Sequence, residues 1–530
     1  MKKIITHIII ILVIALITYY FVLPPLNITS PVFWTYILGL TFLEIFLIYM
    51  SNLDIRGRFF GTKKQETIIK NVFLGGLIII LGIIVINIIV SPFFQAKKYA
   101  KRITIKEDGN FAEEIEQVDF NHFPLLDKAS SSKIGDKVMG QMTDLVSQYD
   151  VSPLYTQINY NDKIIRVTPL EYNGIIKYFT NRSKGIAGYI TVDSTTGDAN
   201  LIRLEKGMKY MPSAHFFENL DRKIRLLYPT EIFGEESFEI DNEGNPYWII
   251  PTIKYIGVGM KTEISGAIIF DPITGDSKKY NLKDIPTWVD HVYPSSLILE
   301  QINNWGYYRN GFLNSIFGQK NVVKTTEGYN YLAMNDDIYL YTGITSAISD
   351  KSNLGFVLTN LRTKETVFYS APGAEEFSAM NSAEGQVQQM KYVASFPLLI
   401  NLNGKPTYVL SLKDNAGLVK MYAFVDVEDY QKVVVTSASE GIEQAAKNYL
   451  GKEIEVPQGQ LKEKQIEINK IKTTMIDGNT YYYLTDNQGQ KYRTSIKTNQ
   501  NLLPFLETGS KITIYYKEEQ EVIEINKIKE

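Results

Sequence analysis

The chain has 530 residues, a formal charge of −3 and a mean hydropathy of −0.10, so no global basic field argues for a nucleic-acid partner. It contains no cysteine, which excludes disulfide frameworks, zinc–thiolate sites and thiol nucleophiles together. Its four histidines, at 7, 122, 215 and 291, share no helical or hairpin spacing, so no cofactor and no histidine metal site is expected.

Ile4–Leu23 is an apolar run long enough, at about 20 residues, to cross a bilayer as a helix. Pro24 and Pro25 end it. Two runs of similar length follow, Pro31–Met50 and Val72–Phe94. The first is too long for a signal-peptide core and has no small-residue cleavage site before Pro24. Three transmembrane helices over residues 1–95 are therefore expected. Lys2 and Lys3 precede the first run, and Arg56, Arg58, Lys63, Lys64 and Lys70 lie between the second and third. The positive-inside rule puts these segments in the cytoplasm and everything after Phe94 outside. Lys97, Lys98, Lys101 and Arg102 follow the third run and pull the other way; their expected role is snorkelling to anionic membrane lipid. Glu44 sits inside the second run and is the candidate membrane polar site. A transport path would have only Glu44, Asn87 and His7 to work with.

Residues 96–150 form a juxtamembrane segment, after which four segments share one pattern. They begin GYITVDSTTGD at Gly188, GAIIFDPITGD at Gly266, GFVLTNLRTKE at Gly355 and MYAFVDVEDYQ at Met421. A polar residue recurs five positions on, as Asp193, Asp271, Asn360 and Asp426. Each is preceded by a shorter hairpin with turn chemistry: INYNDKIIRV, EIDNEGNPYWII, LAMNDDIYLY and LINLNGKPTYVL. Helical periodicity is expected over Ser213–Tyr228, where Phe216, Leu220, Ile224 and Leu227 share a face, and more weakly over Ser382–Tyr392. The spacing is too irregular for a solenoid. It fits α+β modules in tandem, each a helix on a small antiparallel sheet, at 151–212, 213–310, 311–376 and 377–450. The tips Asp193–Gly197 and Asp271–Gly275 hold clustered carboxylates of the kind that suit calcium. A turn explains them better, with Asp opening it and Gly taking the left-handed position. Asp193, Gly197, Asp271 and Gly275 are thus candidate turn or contact residues.

The helix, hairpin and D-x-x-T-G tip of residues 213–282 resemble the PepSY module, with similar features over 160–204 and fainter ones over 383–436. That resemblance implies a non-catalytic extracytoplasmic module that restrains peptidases or contacts other proteins. DLVSQYDV, GMKYMPSAHFF, NGFLNSIFGQK, EGYNYLAMNDDIYLYTGITS and FPLLINLNGKPTYVLSLKDNAGLVKMYAFV look like a family of uncharacterised Firmicute membrane-anchored proteins over about 117–436. It implies a Gram-positive cell envelope and no particular chemistry.

Ser437–Leu450 reads as a connecting helix capped by Ser437 or Ser439 and ended by Gly451. Beyond it, 458–530 shows five strands with a short helical piece near Asn501–Leu506, a pattern similar to the OB-fold β-barrel. Tyr481, Tyr482, Tyr483, Tyr515 and Tyr516 are expected to be exposed. Stacking of bases is possible for such residues, yet compensating Glu residues and an outside location favour a structural or docking role.

The reading that needs no missing residue is a non-catalytic membrane-anchored scaffold or regulator, contacting an envelope protein or wall polymer. No HExxH, GxSxG or SxxK motif is present. The pairs Asp336/Asp337 and Glu375/Glu376 are adjacent and would point to opposite faces of a strand. An extracytoplasmic hydrolase remains as the alternative, with carboxylates about 5–10 Å apart assembled only by folding, as does a transport- or secretion-associated subunit. Edge strands could also pair between copies as a homo-oligomer.

Overall fold

A computed structural model describes residues 2–50, 63–120, 123–124, 126–161, 163–334, 336–348, 353–451, 462–476, 479–516, 521–525 and 527–529. Arg56, Arg58 and His122 lie outside the described residues. The chain opens with α1 (Lys2–Val22), α2 (Pro31–Met50) and α3 (Lys63–Val90). Of these, α2 and Glu66–Val90 of α3 are long and apolar enough to cross a membrane, and Ile9–Val22 of α1 is a shorter apolar stretch. The third helix starts before the expected Val72 and stops short of Phe94. Pro92 has no N–H to continue the ladder, so it restarts the chain as the first turn of α4 (Pro92–Ala100).

The rest of the helices are short: α5 (Phe111–Glu114), α6 (Lys128–Gln141), α7 (Gly174–Asn181), α8 (Leu220–Leu227), α9 (Ser295–Tyr308), α10 (Glu376–Gln386) and α11 (Ile442–Leu450). Among them stand four antiparallel meanders. Sheet I spans Tyr149–Met208, sheet II Ile232–Asn281, sheet III Val323–Gly373 and sheet IV Val393–Ser437. Each has four successive strands, plus a short extra strand beside the second. In sheet I the second strand, Lys163–Tyr172, is buried along nearly its whole length, whereas the last, Ala199–Met208, is largely exposed. A strand covered on both faces reads as a largely apolar run without alternation, as at IIRVTPL and YVLSL, where Arg166, Thr168 and Ser411 are buried with their apolar neighbours.

The four modules share cores. Leu170 and Ile190 of sheet I pack with Trp248 and Phe270 of sheet II. Ile249 and Ile269 of sheet II pack with Leu340 and Val357 of sheet III, and Tyr341 and Phe356 of sheet III with Val409 and Phe424 of sheet IV. Sheet IV returns to sheet I through α6: Lys413 pairs with Asp127, the α6 cap, and Lys133 donates to the Ala416 carbonyl. The result is a ring of four sheets, propeller-like in plan.

The segment after α4 ties the ring. Ile105–Gly109 adds a parallel edge strand to sheet III, Phe111, Ile115 and Phe120 enter the core between sheets III and IV, and the Leu126 N–H donates to the Ser194 carbonyl of sheet I. Ser213–Tyr228 is not one helix. A 3-10 turn at Phe216–Glu218 precedes α8, because Asn219 caps α8 by accepting from Arg222 N at 3.1 Å. Ser382–Tyr392 likewise divides between the end of α10 and a 3-10 turn, Gln388–Met390.

The repeat-opening glycines have a steric reason. Gly188, Gly266 and Gly355 each sit at a register shift between two strands, where a Cβ would lie 2.1, 2.1 and 2.2 Å from a carbonyl oxygen of the last strand. Met421 opens the fourth copy at a similar register shift, between its pairing with Leu412 and that of Val419 with Lys413, so the shift itself does not require glycine. Gly266→Ala is therefore expected to destabilise the body by at least about 1–3 kcal/mol, read as a lower urea midpoint, while Met421→Ala, which adds no atom at the corresponding position, should leave the strand register unchanged in amide exchange.

All three apolar N-terminal helices meet the body at one end. Leu26 N–H donates to Pro229 O and Gly259 N–H to Thr29 O. Asn87 exchanges two hydrogen bonds of 2.9 Å with the Val258 backbone. Arg102 is buried and does not snorkel: it bonds Glu263, Glu300 and the Thr262 carbonyl. Lys97, Lys98 and Lys101 stay exposed.

The C-terminal unit is a curved six-stranded sheet in which the long strand Lys462–Ile476 pairs with both Asn479–Asp486 and Lys511–Tyr516. Its two edges, Val522–Glu524 and Lys527–Lys529, are nearly consecutive in the chain. Tyr515 and Tyr516 are buried, against expectation, and Tyr481, Tyr482 and Tyr483 are half-buried. The strand Lys511–Tyr516 turns alternate residues into a core with Ile466 and Ile528, and the last Tyr of the pair follows that alternation.

Candidate functional site

The four repeated tips are Asx turns. Asp193 Oδ1 accepts from Thr195 N and Thr196 N at 2.8 and 2.9 Å, and Asp271 Oδ1 from Ile273 N and Thr274 N at 2.7 and 3.2 Å. Asn360 and Asp426 do the same with Arg362 and Thr363, and with Glu428 and Asp429. Gly197 and Gly275 take φ of +81° and +82°, and in the third copy Lys364 adopts the same left-handed conformation at +67°. The carboxylate oxygens are used by the turn. Among the described residues no group of three or more His, Asp and Glu is placed to hold a metal ion. Glu44 is half-buried on α2, and its Oε2 has no hydrogen-bond partner among the described residues.

The structure brings other polar groups together where sheets I, II and III meet. Glu239 of sheet II is fully buried and accepts from Asp290 N at 2.8 Å, His291 N at 3.1 Å and Ser237 Oγ at 2.8 Å. Asp290, also buried, accepts from Asn159 N of sheet I at 2.8 Å, and His291 Nε2 meets Gln157 O at 2.7 Å. On sheet III, Asp337 holds Arg362 through two bonds of 2.7 and 2.6 Å and takes a third from Asn360 Nδ2. Of the adjacent pairs read from the sequence, Asp337 and Glu376 turn inward and engage Arg362 and Tyr341.

Burial and the negative Glu239 push the Asp290 carboxyl well above the ordinary carboxylate range. The sign follows from proton counting. Above the ordinary value the unfolded chain has lost this proton while the folded chain keeps it, so stability falls as pH rises between the two values. Asp290→Asn keeps an acceptor for Asn159 and removes that loss. We expect the variant to be more stable at pH 7, with a flatter profile of urea midpoint against pH.

Arg166 lies beside this cluster, 5% exposed. It bonds Leu126 O at 3.4 Å, its Nε has no hydrogen-bond partner among the described residues, and burial lowers its pKa to about 10. It lines a cavity of about 20 Å³ between sheets I, III and IV with Gln157, Tyr331 and Phe396, room for about one water. Nothing in the sequence pointed to Glu239, Asp290 or Arg166. Each stands alone in its own segment, and their meeting is a product of sheet packing.

The fold and these sites define a class: a mixed α+β body of packed sheets joined to apolar, membrane-type N-terminal helices. No family model and no curated protein matches the chain. Among solved structures it is similar to a GH43_1 enzyme from Xanthomonas citri complexed with xylotriose, at 10% identity over 68% of this chain and 88% of that one, with a TM-score of 0.17. It is also similar to an α-L-arabinofuranosidase from Lactobacillus brevis, at 8% identity over 71% and 95%, with a TM-score of 0.16. At these TM-scores neither likeness carries an argument.

Proposed function

We infer that the chain is a non-catalytic, multi-pass membrane scaffold or regulator whose body stands outside the cytoplasm and contacts an envelope protein or wall polymer. The observation that carries this reading is the many-point seat of the body on the helices. Bonds from Arg222 and Arg225 reach the end of α1, and those of Asn87 tie the end of α3 to sheet II. Such a seat holds a platform at fixed height and orientation above a bilayer. The basic residues Lys63 and Lys70 lie toward the opposite end of α3 from this seat, which supports a body outside. PepSY-like features of 213–282 and an OB-like C-terminal unit suit contact surfaces.

The absence of cysteine makes the test direct. Thr196→Cys, on an exposed tip, is expected to react with a membrane-impermeant maleimide in intact cells, and labelling only after lysis would reverse the orientation. Crosslinking from intact cells with the anchored body as bait should recover a reproducible partner. Recovery of none counts against a scaffold. The hydrolase reading draws on Glu239 and Asp290, whose carboxyls do converge; both are closed off and bonded to backbone N–H groups, so it requires the sheets to part.

A further inference from the structure

We propose that a groove beside the end of α1 is a binding site for an anionic phospholipid, drawn from the leaflet on which the body sits. The inference rests on the reading that α1–α3 cross a membrane. The groove has a volume of about 390 Å³ and is open to solvent. Its apolar wall is Phe216, Phe217, Leu226 and Leu227, and its rim carries Arg182, Lys223 and Glu218. Phe217 is 65% exposed and Leu226 50%. The Phe217 ring stands 5.8 Å from that of Tyr20, near the end of α1.

The backbone holds these rings outward at a cost. Phe216 takes φ of +54°, a conformation that a bulky side chain rarely adopts and that collects at binding sites. Arg222 fixes it, donating to the Phe216 carbonyl and to the Tyr20 carbonyl while its guanidinium lies 4.0 Å from the centre of the Tyr20 ring. The strained turn is thus tied to the membrane helix itself. The outer face of α7 extends the apolar area with Ile175, Ile176 and Phe179, all at least half exposed, and Phe179 meets Phe216 at 5.8 Å.

Apolar area of this size at the level where a bilayer ends is covered by acyl chains. A second exposed apolar patch lies near the start of α4. Leu313, Ile316 and Phe317 are exposed, and the neighbouring Phe312 packs 5.3 Å from Phe93 at the start of α4.

The charges select the headgroup. Glu218 is occupied by Arg182 at 3.1 Å and Tyr178 at 2.7 Å. Lys223 lies over the Tyr210 ring and forms no ion pair among the described residues. A lipid phosphate at Lys223, with its chains on Phe217 and Leu226, satisfies both parts of the groove.

The full chain is reconstituted in vesicles containing either phosphatidylglycerol or phosphatidylcholine with a photoreactive diazirine in one acyl chain, and adducts are mapped by mass spectrometry. We expect adducts on 216–227 as well as on α1–α3, stronger with phosphatidylglycerol. Lys223→Gln should lower the preference for phosphatidylglycerol about fivefold, and Lys223→Arg should keep it. Phe217→Ser with Leu226→Ser should reduce labelling of the groove by both lipids. Adducts confined to α1–α3 would overturn the site and leave the membrane reading standing, whereas no adducts anywhere would remove the membrane reading itself. Equal labelling by both lipids, unchanged in Lys223→Gln, overturns the headgroup assignment.

Discussion

Asp337→Ala is expected to destabilise the body by about 3–5 kcal/mol, the cost of leaving one partner of a buried ion pair alone. Asp337 is the acceptor for three donors: two from Arg362 and one from Asn360. Its side chain is 8% exposed and that of Arg362 23%, so some of the stranded charge reaches water and the lower end of that range applies. Loss of the carboxylate also frees Asn360, whose Oδ1 still holds the third repeated turn. The tip between Asn360 and Glu365 should therefore loosen first, seen as faster amide exchange at Arg362 and Thr363. Arg362→Met added to Asp337→Ala removes the stranded cation and should recover part of the loss. The two changes are then strongly non-additive in thermal unfolding followed by tryptophan fluorescence. Additive effects would mean that the pair is not coupled in the folded chain.

What could be read from the sequence was local. The four tips were legible because an Asx turn needs only its own residue and the two or three that follow, so Asp193, Asp271, Asn360 and Asp426 announce themselves wherever the sheets go. Even the third copy, where Lys364 replaces Gly, keeps the pattern through Asn360. Apolar helices are legible for a similar reason, since a span is a property of one continuous stretch. The ring of sheets was not. Its evidence lies in contacts between residues far apart, such as Asn159 with Asp290 and Asp127 with Lys413, and a strand buried on both faces looks the same whichever sheet covers it. Arg102 is instructive. From the sequence it belongs to a basic run beside a membrane, and only the arrival of Glu263 and Glu300 makes it a buried tie. The candidate site suffered most, because Glu239, Asp290 and Arg166 each carry no motif.

Arg225→Met is expected to unseat the body from its helices without unfolding its sheets. Arg225 is buried on α8 and donates to Leu23 O at 3.0 Å, to Tyr228 O at 3.3 Å and to Glu231 O. Its guanidinium also covers the Phe233 ring at 4.2 Å. Methionine keeps much of the volume and the contact with Phe233, but it leaves three carbonyls without this donor. Hydrogen bonds from a charged group contribute about 1.5–3 kcal/mol each, so a loss of about 3 kcal/mol or more is expected, concentrated where α1 meets α8. The bonds from Leu26 to Pro229 and from Gly259 to Thr29 flank this point and should open with it. Amide exchange should therefore rise at Leu26 and Gly259, while Trp248, fully buried between sheets I and II, keeps its fluorescence. If Trp248 emission shifts at the same denaturant concentration at which Leu26 becomes exchangeable, the seat and the core are one cooperative unit and Arg225 is a core residue. If Leu26 opens alone, Arg225 is the latch that sets the height of the platform above the membrane, and the same variant should weaken lipid labelling at Phe217, which stands beside Tyr20 on the helix whose end Arg225 holds.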